Sequence, residues 1–176
     1  MKLTIIKGVL LATLAVTNFA CKDDLEYSGL VRDNRPAVPV TFTNAKTFGG
    51  NPWIDVSVAG GGAIKFDLSI PSSSGRTIKE ITRVAAGGTG INAGSLGPTT
   101  MAANNSIYSN MPVAGSGTTA TFQITLADFT RRYGAAINVA PSANPLAPRE
   151  IGFIFLVTLD DNTQIVTQQV RARIAP

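Results

Sequence analysis

The chain has 176 residues, of which 44% are hydrophobic, 15% charged and 7% aromatic, and its length fits one domain of ordinary size. The net charge is +4, from 15 Lys and Arg residues against 11 Asp and Glu residues. Because the chain has no histidine and one cysteine, the sequence excludes His-based catalytic triads, His-ligated zinc, intrachain disulfides and Cys-based metal cages.

Residues 1–20 have the layout of a secretory signal peptide. Lys2 and Lys7 form a small positive segment, and residues 8–20 are uncharged and mostly apolar. As a helix, this uncharged stretch would be about 20 Å long. A bilayer core is about 30 Å thick, so a signal peptide is predicted rather than a permanent membrane span.

The only cysteine follows this segment directly, in Asn18-Phe19-Ala20-Cys21. This arrangement resembles the cleavage and lipidation site of bacterial lipoproteins, in which Cys21 would become the lipidated first residue. Ala20 is the small residue expected there, whereas Asn18 stands where Leu or Val is commoner. Several acyl chains on one residue would anchor the protein stably to a membrane. The alternative is a soluble secreted protein with a free cysteine.

The next residues, Lys22-Asp23-Asp24, resemble the surface-export signal of Bacteroidota lipoproteins. The alternative interpretation is a charged, solvated tether, which any anchored domain needs. Residues 21–37 carry charge and turn formers without apolar periodicity, so they are predicted to be the lipidated cysteine and a flexible tether. The folded domain is predicted to span residues 38–176.

The charge balance argues against nucleic acid as a partner. Loss of Lys2 and Lys7 with the signal peptide would leave 13 basic residues against 11 acidic ones. The local basic concentrations are Arg131-Arg132 and the pair Arg171 and Arg173, which are too few for a nucleic-acid footprint.

Alternating polar and apolar residues predict strands in the first part of the domain. Residues 38–42 are expected to form an edge strand, because Pro39 cannot donate a ladder hydrogen bond. Residues 53–58 and 63–70 are predicted strands joined by a hairpin across residues 59–62, with the side chains at 54, 56 and 58 pointing inward. Residues 71–75 are a predicted turn.

The middle of the domain is harder to interpret. Residues 78–84 suit a strand with a possible bulge, because they are rich in β-branched side chains. Residues 85–118 are rich in Gly, Ala, Ser, Thr and Asn, and short strands are expected around 94–96 and 106–108. A connection of this length is either functional or a plain loop.

The last third of the chain gives the clearest pattern. Residues 120–126 alternate, and residues 127–133 could form a short helical turn closed by Gly134. Residues 151–159 are apolar on both faces, as in a central strand. A turn at Asp160-Asp161-Asn162 then leads to a long partner strand over residues 163–174. Its inward face is predicted to carry Val166, Val170 and Ile174, together with Gln168 and Ala172.

About seven short strands with almost no helix predict an all-β fold, a two-sheet antiparallel sandwich of immunoglobulin-like architecture. Together with Cys21, the acidic tag and the Leu-Asp-Asp-Asn-Thr hairpin, this layout resembles small surface lipoproteins of Bacteroidota. These include the immunoglobulin-like accessory lipoproteins of starch-utilisation-type nutrient-uptake systems. The resemblance implies an outer-membrane location, a lipid anchor and a domain that faces the cell exterior.

The acidic residues of the body do not form a recognisable catalytic or metal-binding pattern. Asp55 and Asp67 lie on outward strand faces, and Asp160 and Asp161 lie in a turn that favours Asp for its backbone bonding. The turn lacks the ligand spacing of a calcium loop. No enzyme activity, cofactor or metal is therefore expected.

Three aromatic residues remain as candidate contacts for a sugar or a protein partner: Trp53, Tyr108 and Tyr133. By parity with Asp55, Trp53 should lie on the solvent side of its strand. The sequence predicts a non-enzymatic accessory binding or adhesion module whose partner is a glycan or an envelope protein. The alternatives are a structural subunit that assembles through strand edges, and a glycan hydrolase that uses two carboxylates.

Overall fold

Strands are the main regular structure of the described chain, which in this computed structural model comprises residues 36–102, 105–144 and 146–176. The signal peptide, Cys21 and the export residues Lys22, Asp23 and Asp24 lie outside the described residues. Val38–Pro176 forms one unit. Its strands are β1 (Thr41–Phe42), β2 (Trp53–Ser57), β3 (Ala63–Ser69), β4 (Ile78–Gly87), β5 (Ile107–Ser109), β6 (Val113–Ala114), β7 (Thr119–Thr125), β8 (Arg149–Leu159), β9 (Gln164–Val166) and β10 (Val170–Ala175).

The strands form two sheets. The first has the order β1-β3-β7, and the second has the order β2-β10-β8-β4-β5, with β6 on β4 and β9 on β8. This division confirms the predicted all-β sandwich, and it matches the two sheets of an immunoglobulin-like domain. One pair departs from the antiparallel expectation: β2 runs parallel to β10, with Arg171 beside Trp53.

The predicted hairpin between β2 and β3 is wrong, because these strands belong to different sheets. The chain turns between the sheets, where the Gly62 N–H donates to the Ser57 carbonyl at 2.9 Å. Gly62 has φ 65°, a left-handed conformation that glycine adopts without strain. Since β2 ends at Ser57, Val58 is 44% exposed rather than inward as predicted.

The strand β8 is central, as its apolar pattern predicts. It pairs with β4 on one side and with β10 and β9 on the other. The β4–β8 register shifts after Ile78 and again after Ile81, which confirms the bulged strand. The predicted turn after β8 also forms, with Asn162 at φ 65°.

The partner of β8 is not one continuous strand, so the predicted face of residues 163–174 is partly wrong. In β9 the buried side chain is Ile165, while Val166 is 41% exposed. Thr167 turns inward and exchanges two hydrogen bonds with the Phe155 backbone, each 3.0 Å long. Residues 167–169 separate β9 from β10. In β10 the inward side chains again lie at the predicted positions, beginning with the buried Val170.

The side chains that face each other across the two sheets form the main core, which is rich in phenylalanine. Phe66 lies 5.1 Å from Phe153 between ring centroids, and Phe122 lies 5.4 Å from Phe155. Such tilted and edge-on contacts add to the burial of apolar area. The main core therefore joins β3 and β7 of the first sheet to β8 of the second.

Residues 88–102 and 105–106 fold onto the other face of the second sheet, which we call the outer face. The strand predicted at 94–96 is wrong, because these residues form a 3-10 turn, Ala93–Leu96, capped by the side chain of Asn92. The strand predicted at 106–108 is confirmed as β5. Four buried residues form a second apolar group, here named the outer cluster: Ala85, Leu96, Ile107 and Ile154.

The predicted helical turn is the helix α1, Leu126–Tyr133. Thr125 and Asp128 cap its first turn reciprocally, since each side chain accepts from the other's backbone N–H. The hydrogen bonds from Thr125 hold the pKa of Asp128 below its ordinary value. Gly134, at φ 57°, ends the helix as predicted.

Candidate ligand-binding face

Two of the three predicted aromatic contacts contribute to packing. The Tyr108 ring is half-buried and stands edge-on to Phe122 at 5.9 Å. The Tyr133 hydroxyl lies 2.7 Å from the Ala86 carbonyl and 3.0 Å from the Ser106 carbonyl, and can donate to either. Burial raises the pKa of Tyr133 to about 12. These contacts tie α1 to β4 and β5, and a ligand role for either tyrosine stays a prediction.

Trp53 lies on the outer face of the second sheet, opposite in parity to the buried Ile54 and Val56. The guanidinium carbon of Arg173 lies 3.8 Å from the centroid of the Trp53 ring. At this distance the cation is attracted to the ring face. The guanidinium of Arg173 therefore packs on one face of the Trp53 ring.

Glu150 accepts a hydrogen bond from the same arginine. The Arg173 Nε donates to Glu150 Oε1 at 2.6 Å, and Arg171 Nη1 donates to Glu150 Oε2 at 2.6 Å. Burial alone would raise the pKa of Glu150, but the hydrogen bonds from Arg173 and Arg171 outweigh it, and the pKa lies below its ordinary value. Glu150 is thus a carboxylate that fixes both arginines.

Strand register explains why these residues meet. Asp55 of β2 and Glu150 of β8 both lie opposite Arg173 of β10, one on each side. Asp55 is itself paired with Lys46 at 2.5 Å. Lys46 is placed by the two backbone hydrogen bonds, 2.7 and 2.9 Å long, that it exchanges with Trp53. Asp55, Arg173 and Glu150 therefore form a row of alternating charge across the adjacent strands β2, β10 and β8.

A cleft of about 470 Å³ opens beside this row, and we name it the arginine cleft. Asp55 and Arg173 form its sheet side, and Ser142, Asn144 and Pro148 of the loop before β8 form its opposite side. A second hollow of about 360 Å³ adjoins Glu150 and shares Ser142 and Pro148 with the first. The loop thus borders both openings.

Three groups in the arginine cleft can donate hydrogen bonds to a ligand. Within the described residues, the two terminal nitrogens of Arg173 make no hydrogen bond. The Ser142 Oγ accepts from the Asn144 N–H, which leaves the hydroxyl proton of Ser142 available. The Asn144 Oδ1 accepts from the Leu146 N–H, which leaves the Asn144 amide nitrogen available. These three donors suit an acceptor such as a carboxylate.

The other acids of the body are engaged in structure. The hydrogen bond from Thr121 is the largest influence on the pKa of Asp67, which lies below its ordinary value. Arg76 pairs with both Asp160 and Asp161 at the β8–β9 turn. Within the described ranges, no group of three or more acidic or cysteine side chains is arranged to hold a metal ion.

Sequence reasoning named Trp53 but missed the residues that surround it. The alternation along β10 indicates that Arg171 and Arg173 share an outward face. Their contact with Trp53 depends on the parallel pairing of β2 with β10, which no local pattern indicates. The roles of Ser142 and Asn144 depend on where an irregular loop folds.

The described helices include none that is both long enough and apolar enough to span a membrane. Comparisons with protein-family models, with curated proteins and with solved structures found no match for this chain.

Proposed function

We propose that the chain is a non-catalytic binding module of an outer-membrane lipoprotein that binds an acidic glycan in the arginine cleft. In this proposal Cys21 carries the lipid anchor, Lys22, Asp23 and Asp24 form the export signal, and the domain faces the cell exterior. The observation that supports a binding role is the placement of Arg173 against Trp53 and Glu150 at the border of a cleft to which Ser142 and Asn144 add donors.

The physical argument rests on preorganisation. A guanidinium that is already fixed by Glu150 and Trp53 loses little side-chain entropy when it binds a ligand. Its planar pair of terminal nitrogens matches the two oxygens of a carboxylate. The hydroxyl of Ser142 and the amide of Asn144 complement sugar hydroxyls. A glycan that contains uronic acids offers both kinds of group.

The binding proposal is tested by titration calorimetry on residues 22–176, with polygalacturonate fragments as the acidic probe and maltooligosaccharides as the neutral one. We expect binding of the acidic probe, and Arg173→Ala should weaken it about tenfold or more, because a hydrogen-bonded charge pair is lost. Arg131→Ala is the matched control, since Arg131 is an exposed arginine on α1. Equal affinity in wild type and Arg173→Ala, or no binding of the acidic probe, would contradict the proposal.

The anchoring proposal has a separate test. In Cys21→Ala, both palmitate labelling and association with the membrane fraction should be lost. Protease added to whole cells should cleave the wild-type domain and spare a variant in which Lys22, Asp23 and Asp24 are all alanine. Unchanged fractionation of Cys21→Ala would refute the lipid anchor, and equal protection of both proteins would refute surface exposure.

A further inference from the structure

The strand β7 forms one edge of the first sheet. Its register with β3 runs without a shift from Ala63 opposite Thr125 to Ser69 opposite Thr119. On its other side, no strand of the described chain pairs with it. The edge is therefore regular and without a bulge, a form that readily accepts another strand.

The ladder shows which backbone groups point away from β3. The Ile70 N–H donates to the Thr118 carbonyl at 3.0 Å, and the Leu126 N–H donates to the Gly62 carbonyl at 2.8 Å. Because antiparallel ladders alternate, the even-numbered residues of β7 bond to β3 and the odd-numbered ones face outward.

Two of these outward residues have local partners. Thr119 exchanges backbone hydrogen bonds with Ser116, and the Thr125 N–H donates to Asp128. Within the described ranges, the outward backbone groups of Thr121 and Gln123 have no such partner. We call these two residues the open edge.

Other edges of the sandwich are protected. Beside the short β1, the Asn44 amide donates to the Lys65 carbonyl at 2.8 Å, and its oxygen accepts from the Asp67 N–H at 3.0 Å. The edge strand β2 carries the charged pair of Asp55 with Lys46. In contrast, β7 reads Thr-Ala-Thr-Phe-Gln-Ile-Thr and contains no charge, proline or glycine.

We propose that two copies of this chain pair through β7, antiparallel, about a two-fold axis at Phe122. In this register Thr121 lies opposite Gln123 of the second copy, and both residues present outward groups to each other. Four backbone hydrogen bonds then satisfy every N–H and C=O of both open edges. A second copy is the occupant because this one register is self-complementary and leaves no open-edge group unpaired.

The side chains along this border fit the same occupant. Ile124, Tyr108 and Val113 are half-buried beside β7, and Met111, between β5 and β6, is 75% exposed. In the proposed register Ala120 of the second copy lies opposite Ile124 and covers it. Thr121 and Gln123 face each other as uncharged polar neighbours, so no like charges oppose the pairing.

The test is the mass of residues 22–176, which contain the unit Val38–Pro176, by sedimentation across a micromolar-to-millimolar concentration series. We expect a concentration-dependent dimer. Gln123→Pro removes an outward N–H without touching the bonds to β3, and it should weaken the dimer about tenfold or more. Gln123→Ala keeps that N–H and should leave the dimer unchanged.

Amide hydrogen exchange gives a second readout on the wild-type chain that does not depend on a variant's folding. The Thr121 and Gln123 amides should be protected at high concentration and should exchange rapidly on dilution. A monomeric mass throughout the series, or a Gln123→Pro dimer as strong as the wild type, overturns the proposal. Protected amides in a monomer also overturn it, because the chain's own residues would then cover the edge.

Discussion

The main core and the outer cluster are both buried, yet they are built differently. The main core collects side chains from both sheets, and Phe66, Phe153 and Phe155 are inaccessible to solvent. The outer cluster joins one sheet face to a glycine-rich connection, where Leu96 packs with Ile107 and Ile154. A chain-spanning core should unfold as one unit, whereas a cluster held by one loop can open locally.

The largest expected effect is in the main core. Phe153→Ala should lower the free energy of unfolding by about 3–5 kcal/mol, because it leaves a cavity among four other aromatic rings. Urea denaturation followed by circular dichroism measures this loss. Phe48→Ala is the control, since Phe48 is 89% exposed and its removal should change little. A small loss for Phe153→Ala would show that the main core is not one cooperative unit.

Leu96→Ala tests the outer cluster and should have an intermediate effect. We expect a loss of about 2 kcal/mol, at the low end for a buried leucine, because the surrounding loop can collapse. Limited proteolysis should show faster cleavage within residues 88–106, while the unfolding transition stays cooperative. Met101→Ala changes an exposed residue of the same segment and serves as control. If Leu96→Ala lowers global stability without faster local cleavage, the outer cluster does not open separately from the main core.

Tyr133→Phe probes the junction of the two regions, because the hydroxyl reaches the carbonyls of Ala86 in β4 and Ser106 before β5. Loss of this hydrogen bond should cost about 1 kcal/mol near neutral pH. Burial raises the pKa of Tyr133 from 10.0 to about 12, so its neutral form stabilises the fold below pH 10.0, and that stability is lost as the pH rises through about 12. Alkaline denaturation curves should therefore be flatter for Tyr133→Phe than for wild type.

The smallest effect is expected on the polar part of the outer face, which the outer cluster leaves open. The lowered pKa of Glu150 means that its carboxylate stabilises the fold above its ordinary pKa of 4.5. This contribution is lost as the pH falls through the lower folded value. Glu150→Gln should cost about 0.5 kcal/mol at pH 7 and remove that part of the acid dependence. An unchanged acid transition would show that the charge on Glu150 does not stabilise the fold.

The parts of the fold that sequence predicts are those with local causes. Strict alternation in β3 and the apolar run of β8 identify these strands, and Gly134 identifies the end of α1. The outer cluster escapes prediction because its apolar residues are far apart in a polar segment. The switch in parity between Ile165 and Val170 also escapes, since Thr167 replaces a strand contact with side-chain hydrogen bonds.

The candidate site is harder to predict than the fold. The alternation of β10 gives the direction of Arg173, but the contacts with Trp53 and Glu150 depend on which strands adjoin β10. The β2–β10 pairing joins segments over one hundred residues apart, for which the sequence offers no periodic signal. The hydrogen bonds from Arg173 and Arg171, which hold the pKa of Glu150 below its ordinary value, depend on that sheet order too.

The parallel β2–β10 pair also has a consequence for how the chain reaches its native state. Contacts between distant segments form late, because a long loop must close before they contribute stability. The first residues of the sandwich must therefore wait, with β2 unpaired, until β10 has been synthesised. The second sheet therefore gains its edge strand β2 only after β10 has left the ribosome.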